Sequence, residues 1–227
     1  MKKFLLLFCF ISCTSEESRE GDVYYFKKEY EKAIELYSES LKLKPNDTKS
    51  LYRRGRSYEE LKLYDKAEKD YHSILDLDKK NANAMLSLSV NYIREKKYIN
   101  AEAYAKKVIK INPDLYDAYF LLGRSQQYQG LFLDAIKSYK TSISLNSNNS
   151  EPYYFLGMIY LKMKNDKNAC KNFAMSASLD NIEAKEVMKR YCYYYYENIF
   201  FNYKCHDYGL QNCNFWFWLF LVYRSHI

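Results

Sequence analysis

The chain has 227 residues, a formal net charge of +7 and 26 tyrosines, but only 6 glycines and 3 prolines. So few turn formers exclude a sandwich of many short strands and favour packed amphipathic helices, and the length is enough to bury a core. Lys and Arg alternate with Asp and Glu instead of forming a block, which marks solvated helix faces and argues against a nucleic-acid partner.

At the start, Lys2 and Lys3 precede an apolar run from Phe4 to Ile11. That run is far shorter than the ~20 residues a helix needs to span a bilayer, so residues 1–12 read as a secretory signal. The stretch "FISC" resembles the signal of bacterial lipoproteins, in which a small residue precedes a cysteine that is lipidated after cleavage, although Phe10 stands where Leu is usual. The resemblance implies lipidation at Cys13 and membrane anchoring in the bacterial cell envelope, at the outer membrane, facing the periplasm or the surface. An ordinary signal peptide with a free Cys13 is the other reading.

Beyond the signal, small residues recur every 34 positions: Gly21, Gly55, Ser89, Gly123 and Gly157, with Ala33, Ala67, Ala101, Ala135 and Ala169. The series Tyr30, Tyr64, Tyr98, Phe132 keeps that period until Asp166, and Tyr37, Tyr71, Ala105, Tyr139, Phe173 nearly does. Small positions let two helices approach closely, and the aromatics fill what remains. Over residues 14–181 this resembles the tetratricopeptide repeat, a helix–turn–helix unit. The resemblance implies an all-α, right-handed superhelical solenoid of about five repeats, closed by a capping helix at 182–197.

First helices are expected at about 15–27, 48–61, 82–95, 116–129 and 150–163, and second helices at about 30–43, 64–76, 98–110, 132–144 and 166–178. Pro45 and Pro113 fall where one unit ends and the next begins. Glu17 and Glu20 replace the family's usual Trp and Leu, a polar face that suits an array end. Cys170 and Cys192 lie equally far from residue 181, the turn between the last second helix and the cap. They read either as a disulfide, consistent with export, or as two buried thiols. The aromatic tail, residues 198–227, has three open readings: an interfacial segment, a plug of the groove, or an extension unrelated to function.

No catalytic constellation, phosphate loop or cofactor motif is recognisable. Cys205, His206, Cys213 and His226 match no common zinc spacing, so no metal is expected. In the family, ligands contact a groove lined by the first helices. Carrying those positions over gives one ladder of Tyr52, Leu86, Phe120 and Tyr154 and a second of Arg56, Val90, Arg124 and Met158. Glu59, Glu60, Arg94, Gln127, Tyr128 and Lys162 would line the edges. The chain is therefore expected to be a non-enzymatic scaffold that holds a protein partner, an envelope component, through a peptide with apolar anchors and acidic groups. The alternative is a glycan-binding or cell-wall enzyme accessory module that uses the same aromatics.

Overall fold

A computed structural model describes residues 16–192. The signal with Cys13, the last residues of the expected cap and the aromatic tail lie outside the described residues. Every regular element described is helical: α1 covers 16–26, followed by α2 (Tyr30–Leu43), α3 (Thr48–Glu60), α4 (Tyr64–Leu77), α5 (Ala82–Arg94) and α6 (Tyr98–Ile111). Then come α7 (Tyr116–Tyr128), α8 (Phe132–Leu145), α9 (Ser150–Lys162), α10 (Asp166–Ser178) and α11 (Ile182–Val187). The expected all-α helix pairs are present, with ends within a residue or two of those read from the period. No described helix is long and apolar enough to cross a membrane.

Two compact units divide at Asn146 and Ser147. In the first, each helix from α2 to α8 packs on the next. Its core joins Leu41, Leu51, Tyr71, Ile74, Leu88 and Tyr92 around Ala67 and Ala101. The reason for the small positions is steric. A Cβ on Gly55 would lie 2.8 Å from the Tyr71 ring, and one on Gly123 would lie 2.7 Å from the Tyr139 ring. Gly21 faces Tyr37 in the same way. The third repeat breaks both series at once: Ser89 replaces the glycine and Ala105 the tyrosine, and the Ser89 hydroxyl donates to the Ala101 carbonyl at 2.9 Å. One departure makes room for the other.

A second compensation concerns the hydroxyl of the buried tyrosine. Tyr71 donates to Glu59 Oε1 at 2.8 Å, and Tyr139 donates to Gln127 Oε1 at 2.6 Å. In each case the acceptor lies 12 residues earlier. Where the ring carries no hydroxyl, or there is no ring, that position is apolar: Leu161 before Phe173, and Ile93 before Ala105. A third case is Arg54, which stands where the next three repeats have Leu88, Leu122 and Leu156. Its Nε and Nη2 bind Asp70 at 2.9 and 2.6 Å, and Asp70 is 4 % exposed. A buried charge is tolerated here because its partner is supplied bidentately.

The turn between the two helices of each pair uses a left-handed residue, at Lys28, Lys62, Lys96, Gly130 and Lys164. Glycine adopts that conformation freely and lysine does not.

In the second unit, α9 packs on α10 and α10 on α11. Phe173 and Ala169 form the centre, with Tyr154, Met158 and Leu161 packed against them. Cys170 and Cys192 are joined in a disulfide, with Cα atoms 5.5 Å apart. Within the described part of the expected cap, α11 gives way at Met188–Cys192 to a π turn that carries the bonded cysteine.

Candidate functional site

In the first unit the two ladders lie on α3, α5 and α7, and burial sorts their members. Tyr52 is half-buried, with its ring 5.9 Å from that of Tyr71, and its oxygen accepts from the Ser87 hydroxyl at 3.5 Å. Leu86 is partly buried against Met85, Val108 and Ala118, and Val90 is half-exposed. Phe120 is only 7 % exposed and packs on Tyr139 with centroids 6.0 Å apart. It is a wall of the core more than a contact surface. In the second unit, Tyr154 packs on Phe173 in the same manner, at 6.0 Å, and Met158 sits half-buried beside it. The aromatic rungs owe their burial to the second-helix ring of their own repeat.

The two arginines of the second ladder sit in different surroundings. Arg56 Nη1 donates to Glu59 Oε2 at 2.8 Å, so it already holds a carboxylate from its own helix. Burial disfavours charge on Arg56, but Glu59, Tyr71 and Tyr25 together outweigh this and hold its pKa above the ordinary value. Arg124 lies over the rings of Phe120 and Tyr128, at 5.8 and 5.4 Å, and donates to the Tyr128 hydroxyl at 3.1 Å. Arg94 is the more open cation. Its side chain is 37 % exposed and reaches Glu59 through Nη1 at 3.3 Å, its one hydrogen bond to a described residue.

Glu59 was expected at the groove edge, but its side chain is fully buried. Burial raises its pKa, against the pull of Arg56, the Tyr71 hydroxyl and Arg94. Gln127 is likewise committed to Tyr139. Both are partners of the scaffold, and the signal that gives them away is their fixed spacing to a buried tyrosine. Asp65, Glu68 and Glu95 bring carboxylate oxygens within 4.8 Å of one another. That cluster has internal partners, since Glu68 accepts from Tyr92 at 2.7 Å and Glu95 pairs with Lys97 at 3.2 Å. The Cys205, His206, Cys213 and His226 group lies outside the described residues.

Helix pairs at a fixed period, presenting side chains from their first helices, define a helical-repeat platform of the kind that binds other proteins. The Tetratricopeptide repeat model matches residues 48–81, 82–115, 116–149 and 150–183, and a TPR repeat model matches residues 21–62. The chain belongs to the tetratricopeptide repeat family. No individual curated protein matches it by sequence.

Among solved structures it resembles MamA 41-end from Desulfovibrio magneticus RS-1 with a TM-score of 0.67 and 19% identity, over 74% of this chain and 94% of that one. TTC0263, a thermophilic TPR protein in Thermus thermophilus, gives 0.64 and 21%, over 79% and 97%. YrrB, described as a TPR protein with an unusual peptide-binding site, gives 0.60 and 17%, over 79% and 97%. At these identities the likeness is one of fold.

Proposed function

We propose that the chain is a non-enzymatic interaction scaffold that binds a partner peptide along its first helices and is tethered to the bacterial envelope by a lipid at Cys13. The observation that carries the peptide reading is the combination of half-buried Tyr52, Leu86 and Val90 with the Arg94 side chain, 37 % exposed. Apolar rungs take side chains in a register, and arginine takes a carboxylate through two parallel hydrogen bonds. The peptide-binding description of YrrB is consistent with such a use of the fold. A saccharide needs open ring faces, and the three ladder aromatics each lie against a core ring, Tyr52 on Tyr71, Phe120 on Tyr139 and Tyr154 on Phe173. Peptide is therefore preferred to glycan.

The test is a photo-crosslinker placed at Val90 in membranes of the native host, with a control label at Lys137 and products read by mass spectrometry. One enriched envelope protein, lost on Arg94→Ala, supports the reading. Equal recovery from both labels overturns it. For the tether, Cys13→Ala is expected to move the protein out of the membrane fraction, and retention there would refute lipidation at that residue.

A further inference from the structure

A cleft of about 670 Å3, lined by none of the ladder residues, opens between α4 and α6 over the start of α5. Its apolar lining is Leu75, Met85, Tyr104 and Ile111. Ile111 is 40 % exposed, and Leu75 and Tyr104 are half-buried, so apolar area is left open there. The cationic lining is Lys79, Lys80, Lys107 and Lys110; His72, whose Nε2 lies 3.5 Å from Glu68 Oε1, also lines the cleft, and no carboxylate is part of the lining.

Some lysines of the chain are neutralised by an acid: Lys32, Lys42, Lys49, Lys97 and Lys106 each pair with one. Lys79, Lys80 and Lys110 form no ion pair with any described residue, and the Lys107 ammonium lies 4.3 Å from the centre of the Tyr104 ring. Nor does the repeat require them. The turn that holds Lys79 and Lys80 carries Pro45 and Asn46, Pro113 and Asp114, or Ser147 and Asn148 at the other junctions. This junction alone replaces turn residues with two cations.

We infer that this cleft is a second binding site, for an acidic peptide segment that seats one apolar side chain on Leu75, Tyr104 and Ile111 between flanking Asp or Glu residues. Charge complementarity selects an anion, because unpaired lysines around a low-dielectric floor focus a positive potential. The floor selects the kind of anion. A free phosphate would leave it unused, and a bilayer surface would not enter the cleft to reach it. An acidic segment with an apolar anchor engages both parts.

The experiment is fluorescence anisotropy on the full chain in detergent, using a labelled short peptide with one leucine flanked by glutamates. Replacing Glu by Gln, or Leu by Ala, in that peptide is expected to weaken binding by about tenfold or more, and so is Lys79→Glu with Lys80→Glu in the protein. Ile111→Asp, at an already exposed position, is expected to act in the same direction. Lys140→Glu on α8, a lysine outside both sites, is expected to change nothing; circular dichroism confirms that each variant is folded. Unchanged affinity in the double lysine variant overturns the site. Equal binding of the Ala-for-Leu peptide overturns the anchor, and binding to phosphatidylglycerol vesicles with none to the peptide overturns the peptide as occupant.

Discussion

The paired departure at Ser89 and Ala105 can be transplanted, and the outcome is calculable from the structure. A Cβ at Gly123 would lie 2.7 Å from both Cδ1 and Cε1 of Tyr139 and 3.2 Å from Cγ. The Tyr139 side chain is fully buried and cannot swing aside. Gly123→Ser alone is therefore an overpacking change, expected to destabilise by about 3 kcal/mol. Tyr139→Ala alone removes the ring and leaves a cavity, at about 3–5 kcal/mol. If the two effects were independent the double variant would lose about 6–8 kcal/mol, since distant sites add. The third repeat holds the small pair in an intact core, and its Ser89 hydroxyl finds the Ala101 carbonyl at 2.9 Å. In the fourth repeat Ala135 occupies the matching position. The double variant is thus expected to recover about 2–3 kcal/mol relative to the sum, the size of a strong coupling between touching residues. Urea unfolding followed by far-ultraviolet circular dichroism, with m-values compared across the four proteins, gives that coupling directly. Additivity within about 0.5 kcal/mol would show that the glycine and the ring do not constrain one another, and the steric account of the repeat would fail.

Tyr139→Phe alone is expected to lose about 1 kcal/mol by leaving the Gln127 oxygen without its donor, whereas adding Gln127→Leu, the Phe173 and Leu161 arrangement, restores most of it in the same urea assay. Lys96→Gly is expected to raise stability by about 0.5–1 kcal/mol, because Lys96 sits at φ 62°, and Gly130→Ala at φ 80° to lower it; matching effects of both would refute the left-handed assignment. Reducing the disulfide, which closes 22 residues, is expected to destabilise the second unit by about 3 kcal/mol, seen as earlier proteolysis near α11 in dithiothreitol. Burial alone would raise the Asp22 carboxyl, but Lys49, Tyr37 and Arg53 outweigh it and hold it below its ordinary 3.8. Its stabilisation is thus present above that value and lost as the pH falls through the lower folded-state value, so Asp22→Asn should flatten the acid limb of the stability curve.

How much of this was legible depended on whether a property belongs to one repeat or to its neighbours. Helix ends followed from the 34-residue period alone. The compensation at Ser89 and Ala105 was visible as two broken series, but its meaning required knowing that Gly55 and Tyr71 touch. The acceptor role of Glu59 and Gln127 was equally open to a spacing argument, yet family position placed them at the groove edge. The burial of Phe120 was not legible, because it comes from Tyr139 on another helix. Neither was the π turn before Cys192, since nothing in the stretch Met188–Cys192 distinguishes it from ordinary helix.

These cases separate scaffold from recognition by a single criterion. A departure from the repeat that the chain itself compensates belongs to folding: Ser89 has Ala105, Arg54 has Asp70, and Leu161 has Phe173. A departure with no internal compensation has no folding reason to stand where it does. Lys79 and Lys80 are of that kind, since they replace turn residues and form no ion pair with the described chain. Reversing their charge should therefore leave the unfolding transition in place while changing what the cleft binds. Replacing Arg54 by Leu should do the opposite, because it strands Asp70, 4 % exposed, without its partner, while the lysine cleft stays intact.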